Sequence, residues 1–225
     1  MSEPEGRVLP IYLVMDASGS MVDQFSTLHE GLVSLREQME ESPAAAAAVR
    51  FSMILFGSTV QTMMKIEDFN EISNVPSFSD LGLTNYTIVF QELARQIPLD
   101  VNLLKGENYR VLRPAVFFLT DGYPNDGGDW RPAYAQLMNE ANKWRPNIMA
   151  FGVGAADADT VKEIASRPQY AFIAVAGADM GLALGEFMAA LQRSVVSSGI
   201  SVNAGGGLLV ADPVGFTRID AEEID

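Results

Sequence analysis

Asp16, Ser18 and Ser20 stand at alternate positions in the stretch Val14-Met15-Asp16-Ala17-Ser18-Gly19-Ser20, directly after an apolar run. Three small oxygen-bearing side chains on a tight, glycine-containing turn can converge on one point. A hard divalent cation takes oxygen ligands, at roughly 2.0–2.1 Å for Mg²⁺ and 2.3–2.6 Å for Ca²⁺. The loop therefore has the chemistry of half a metal site. The other half must come from elsewhere in the chain.

The elements that would position this loop follow from hydrophobic patterning. Apolar runs of strand length alternate with helical patterns, the signature of an α/β fold. The first strand covers about Leu9 to Met15. A helix follows, its face marked by Phe25, Leu28, Leu32, Leu35 and Met39, with Pro43 closing it. Ala44 to Ala48 reads as a fraying turn or a connection. Arg50 to Phe56 is a second strand, and Gly57-Ser58-Thr59 turns it into Val60 to Ile66, an antiparallel edge strand. Thr84-Asn85 caps a helix that ends before Pro98. Pro114 to Thr120, apolar throughout, is expected as a central parallel strand covered on both faces, with Asp121-Gly122 at its carboxyl end. Helical character over Trp130 to Trp144, a strand at Asn147 to Val153 and a helix at Thr160 to Ser166 come next. A last strand at Tyr170 to Val175 and a helix at Met180 to Val196 complete the pattern. The expected fold is a doubly wound, mostly parallel sheet with one antiparallel edge strand, flanked by helices. Residues 1–8 form an extension, 9–197 the domain, and 198–225 a tail laid on it or partly disordered. In such sheets ligands bind at the carboxyl ends of strands. Asp16 and Asp121 both fall there.

Composition narrows the function classes. The 225 residues are enough for one full core. Lys plus Arg total 15 against 29 Asp plus Glu, a net charge of −14, which argues against nucleic-acid binding through phosphates. The absence of cysteine excludes disulfides, thiol catalysis and thiolate zinc sites. One histidine, His29, rules out a histidine-rich metal centre and reads as an ordinary helix residue. The acidic, polar start lacks the layout of a signal peptide, and no run of about 18 apolar residues suggests a membrane span. The expected location is cytoplasmic.

Asp16, Ser18, Ser20, Thr84 and Asp121 together make a set. The chain resembles the von Willebrand factor A family, whose metal-ion-dependent adhesion site combines D-x-S-x-S, a distant threonine and a distant aspartate. The matching pieces are Asp16-Ala17-Ser18-Gly19-Ser20, Gly82-Leu83-Thr84 and Leu119-Thr120-Asp121-Gly122. The resemblance implies that the serine hydroxyls, and Thr84 in the ligand-bound state, coordinate Mg²⁺ or Mn²⁺, with Ca²⁺ less favoured. It also implies that Asp16 and Asp121 act through water. Neutral hydroxyl ligands leave the cation under-compensated and receptive to a partner's carboxylate. Leu83 departs from the small residue usual before the threonine, and Thr87 is a competing hydroxyl, with Thr84 preferred. Within the family the chain looks most like the bacterial TerY type of tellurium-resistance and stress-response systems. Arg113-Pro114, Thr120 to Asp126 with Trp130, and Phe151 to Asp157 carry that likeness. It implies a scaffold or signalling role beside a kinase, phosphatase or TerD-type protein.

Catalysis is not expected. An aspartyl phosphatase nucleophile at Asp16 would need a second aspartate where Ser18 stands. There is no phosphate-binding G-x-x-x-x-G-K-[ST] loop, Gly152-x-Gly154 lacks the rest of a dinucleotide fingerprint, and no serine has the elbow of a triad. The other readings are a recruiting subunit of an AAA-type ATPase or chelatase machine and a metal-dependent phosphatase-type hydrolase. Asp126 and Asp129 flank the candidate metal mouth as solvated loop or as selectors of ligand. The methionines read as core filling, and the tail acids Asp220, Glu222, Glu223 and Asp225 as a solvated end.

Overall fold

The computed structural model describes residues 5–68, 71, 74–125 and 127–219. Asp126 and the tail acids from Asp220 onward lie outside them. An eight-stranded sheet forms the centre. Its strands are β1 (Gly6–Asp16), β2 (Val49–Phe56), β3 (Val60–Asp68), β4 (Tyr109–Val111), β5 (Ala115–Thr120), β6 (Asn147–Gly152), β7 (Ala171–Ala174) and β8 (Phe216–Arg218). They run in the order β3-β2-β1-β5-β6-β7-β8, with the short β4 also paired to β1. Strands β2, β1, β5, β6 and β7 are parallel to one another, while β3 and β8 run antiparallel at the two edges.

Side-chain alternation along β1 divides the core into two layers. Leu9, Ile11, Leu13 and Met15 face one side, where they pack with α1 (Phe25–Glu40), α2 (Pro43–Ala48) and α6 (Met180–Asn203). Val8, Tyr12 and Val14 face α3 (Tyr86–Gly106), α4 (Arg131–Met138) and α5 (Ala158–Ile164). Both faces are covered, which is why β1, β2 and β5 read as continuous apolar runs. Among the described residues no helix is long and apolar enough to cross a membrane.

The structure corrects several expectations. The sheet has two antiparallel edge strands where one was expected. The second, β8, is three residues long and pairs with β7, too short to show a period in sequence. The helix expected to stop before Pro98 continues to Gly106. Pro98 removes one backbone donor, but Val101 and Leu104 beyond it are buried and Asp100 accepts a hydrogen bond from Tyr12 Oη at 2.8 Å, so tertiary contacts hold the helix together. The helix expected over Trp130 to Trp144 is confined to Arg131–Met138. Conversely, α6 runs past Val196 to Asn203. The alanine run forms α2, whose buried Ala45 lets α6 approach closely. A Cβ on Gly199 of α6 would lie 2.6 Å from the Ala45 Cα.

Candidate metal centre

Three loops at the carboxyl end of the sheet build the site. The first leaves β1 at Asp16, which is fully buried. Asp16 Oδ1 accepts the Ser18 N–H at 2.9 Å, closing the turn in the manner of aspartates that bond their own backbone two residues on. Ser18 Oγ then lies 3.2 Å from Ser20 Oγ. Backbone bonds from Ala17 N–H to the Phe56 carbonyl (2.8 Å) and from Gly19 N–H to the Gly82 carbonyl (3.0 Å) tie this loop to its neighbours.

The second loop carries Thr84. Gly82 takes a left-handed φ of +83°, which glycine adopts without strain, and its N–H donates to Asp80 Oδ1 at 2.8 Å. Leu83, the departure noted in sequence, points outward with 54% of its surface exposed, so its bulk stays clear of the site. Its N–H donates to Ser58 Oγ. Thr84 is buried, and its Oγ1 donates to Asp16 Oδ2 at 3.4 Å. Asn85 caps α3 by accepting the Ile88 N–H. Thr87 sits one turn into α3, with its Oγ1 buried and without a hydrogen-bond partner among the described residues.

The third loop leaves β5 at Asp121. This residue is 3% exposed, and its carboxylate faces the Ser20 and Ser18 hydroxyls. Its Oδ1 is buried with no hydrogen-bond partner among the described residues. The loop following β6 braces the backbone beneath it, with Ala155 N–H donating to the Asp121 carbonyl at 3.0 Å. The five residues singled out in sequence are thus brought together from three separate segments.

Electrostatics set this cluster apart. Burial pushes the Asp16 carboxyl up to about 6, against the opposing effect of the Ser18 bonds and with a further upward push from the Asp121 charge. Burial likewise raises Asp121, and the Ser20 and Ser18 hydroxyls only partly offset it. Two buried carboxylates without a cationic side chain between them are unfavourable unless positive charge arrives. Among the described residues no three His, Cys, Asp or Glu side chains cluster as metal ligands. The donors here are two acids and three hydroxyls, a set of hard oxygens suited to a hard cation.

Three residues that sequence reasoning passed over hold the cluster in place. Thr120 Oγ1 donates to Asp16 Oδ2 at 2.9 Å and so accepts from Tyr86 Oη at 2.8 Å, whose proton it shares with the Gly122 carbonyl. Asn125 Oδ1 accepts the Thr84 N–H at 2.8 Å, and its own N–H donates to the Thr84 carbonyl at 3.0 Å. Thr120 ends an apolar strand and Tyr86 lies on an apolar helix face, so both read as core. Asp129 Oδ1 accepts the Arg131 N–H at the start of α4 and serves that helix end. His29 is a helix residue with Nδ1 3.3 Å from the Pro76 carbonyl oxygen.

Residues 11–188 match the family model of the von Willebrand factor type A domain. The chain belongs to that family. Mouse Matrilin-2 is 25% identical over 172 residues, which are 74% of this chain and 17% of Matrilin-2. The fold is shared with proximal thread matrix protein 1 of the mussel byssus, at a TM-score of 0.62 and 16% identity over 86% of this chain and 49% of that one. One structure of that mussel protein has a zinc-occupied MIDAS motif. The pilus adhesin SpaC of Lactobacillus rhamnosus GG superposes at a TM-score of 0.65 and 15% identity, over 86% of this chain and 31% of that one. The domain thus spans under half the length of each of these proteins.

Proposed function

We propose that this von Willebrand A domain binds a protein partner through a divalent cation, Mg²⁺ or Mn²⁺, held by Ser18, Ser20 and Thr84 with Asp16 and Asp121 in support. The observation that carries the reading is the buried, unpartnered Asp121 Oδ1 beside two serine hydroxyls. A buried polar atom without a partner costs stability, and a cation or its bound water supplies what this one lacks. The cation provides a positive centre that a partner's carboxylate can join. Asp16 orients the Ser18 loop and Thr84, Thr120 fixes Asp16, and Asn125 fixes the Thr84 backbone. These contacts preorganise the donors before any ligand arrives.

The net charge of −14 repels an acidic partner at long range. That repulsion fades beyond about 8 Å at physiological salt, so a local cation decides docking. Each site loop also carries one large exposed apolar side chain: Val22 two residues after Ser20, Leu83 before Thr84, and Tyr123 two residues after Asp121. Of the three, the tyrosine is the residue type that most often carries binding energy at an interface. The domain acts by recognition and not by turnover. The TerY-type assignment, in a tellurium-resistance or stress response, rests on the sequence motifs quoted above. A pull-down with and without Mg²⁺, read by mass spectrometry, tests the docking reading. Partners that appear only with Mg²⁺ and are lost with Tyr123→Ala support it. Partners retained in excess EDTA overturn it.

A further inference from the structure

Three arginine–proline pairs enter three adjacent parallel strands. Arg113-Pro114 precedes β5, Arg145-Pro146 precedes β6, and Arg167-Pro168 leads through a single 3-10 turn into β7. All three lie at the amino-terminal ends of the strands, the opposite pole of the sheet from Asp16 and Asp121. The three arginines, with Met138, Pro146, Asn147 and Ser166, line a cleft of about 200 Å³ that among the described residues no carboxylate lines. The backbone carrying them is fixed. Proline sets its own φ and keeps the preceding arginine extended. The Asn147 N–H donates to the Pro114 carbonyl at 2.8 Å, and the Ser166 N–H donates to the Ile148 carbonyl at 3.0 Å. The Ile148 N–H donates in return to Ser166 Oγ at 2.9 Å.

The charges in this cleft are poorly compensated for so acidic a chain. Elsewhere Arg36, Arg50, Arg95, Arg131 and Arg218 each have a carboxylate oxygen at 3.3 Å or less, while Arg7 and Arg193 donate singly to backbone carbonyls. Arg113 instead donates to the Arg145 carbonyl at 2.5 Å. Arg167 lies over the Tyr170 ring, 5.6 Å from its centroid. Arg145 has only Glu140 at 4.0 Å, whose side chain is almost fully exposed. Each guanidinium carries five N–H donors, so most of the cleft's donors have no protein acceptor among the described residues. Gathering three like charges into one concavity is self-repulsive unless an anion joins them.

We propose that this cleft binds a phosphoryl dianion, carried either by free phosphate or by a phosphorylated side chain of a partner. Planar guanidinium forks match the oxygens of a phosphoryl group in pairs, and three arginines match a dianion better than a single carboxylate. The site is separate from the candidate metal centre and does not depend on the docking role proposed there.

The test is thermal unfolding in EDTA at pH 7.5 and constant ionic strength, with inorganic phosphate replacing chloride. The wild type and Ser18→Ala show a saturable rise in Tm. The Arg113→Gln/Arg167→Gln double variant keeps only the linear, non-saturating rise that phosphate produces by exclusion from protein surfaces. Arg167→Gln alone, which removes no hydrogen bond, weakens the saturable part at least tenfold in concentration and guards against misfolding of the double variant. Fluorescence anisotropy with a phosphoserine peptide then separates the sources. Affinity tenfold or more above that for inorganic phosphate assigns the site to a phosphorylated partner, and comparable affinity assigns it to free phosphate. A response identical in wild type and both variants, or none to either probe, overturns the proposal.

Discussion

Replacing Asp16 by asparagine removes a buried charge while nearly preserving shape. The Asp16 carboxyl is pushed from 3.8 up to about 6, chiefly by burial. At about 1.4 kcal/mol per pKa unit, its ionisation at pH 7.5 costs the metal-free fold about 3 kcal/mol. Asparagine keeps an oxygen for the Ser18 N–H, but its amide nitrogen meets the Thr120 and Thr84 hydroxyls, which must turn to accept. Reversing that chain costs about 1 kcal/mol. The net expectation in EDTA at pH 7.5 is a stabilisation of about 2 kcal/mol, or roughly 4–8 °C in Tm for a chain of this size. The sign with pH follows from the raised folded-state value. The wild type has its full Asp16 contribution below the unfolded value of 3.8 and loses it as pH climbs to about 6. The advantage of the variant therefore emerges above about pH 4.5, levels off above pH 6, and reverses near pH 4. Added Mg²⁺ restores the order, because the wild type gains a ligand that the variant holds weakly. Thermal unfolding of both proteins at pH 4, 6 and 7.5, with EDTA or Mg²⁺, measures each term. An Asp16→Asn protein less stable than wild type in EDTA at pH 7.5 would refute the reasoning.

Asn125→Ala deletes the acceptor of the Thr84 N–H, so it lowers stability by about 1 kcal/mol and weakens Mg²⁺ affinity in calorimetric titration; an unchanged affinity would remove Asn125 from the site's support. Asp100→Asn keeps an acceptor for Tyr12 Oη while relieving a carboxyl whose pKa burial raises. The variant matches or exceeds wild-type stability in urea at pH 7.5 and loses that advantage as pH falls below the usual carboxylate range; a constant difference across pH would contradict the assigned cause. Thr87→Ala removes a buried hydroxyl that has no partner, so it leaves Mg²⁺ affinity unchanged and stability equal or higher, whereas Thr84→Ala lowers the affinity of partner docking. The reverse pattern would transfer the ligand role to Thr87.

The parallel core was legible in sequence because strands covered on both faces must be apolar throughout, as Pro114 to Thr120 shows. The loops of the cluster were legible for a related reason, since polar residues at strand ends interrupt such runs abruptly. Elements set by long-range contact were not. Nothing local distinguishes the Pro98 that α3 carries from one that ends a helix; the burial of Val101 and Leu104 decides it. Likewise Phe216–Arg218 becomes a strand only because β7 leaves an open edge for it. In the site, aspartate and serine announce oxygen chemistry by type, and the spacing of Asp16, Ser18 and Ser20 did so here. Thr120, Tyr86 and Asn125 act through hydrogen bonds across 34 to 104 residues of sequence, which no window contains. The three arginine–proline pairs became meaningful only once β5, β6 and β7 stood side by side.

Calorimetric titration of Mg²⁺ into the wild-type domain and into Ser18→Ala, each verified as folded by circular dichroism, tests the central claim most directly. Ser18 Oγ lies within 3.2 Å of Ser20 Oγ, and removing it takes away one hydroxyl donor with little effect on the backbone. One Mg²⁺ binds per wild-type chain, and the affinity falls at least tenfold in the variant. Equal binding by the two proteins, or no binding by the wild type, would contradict it.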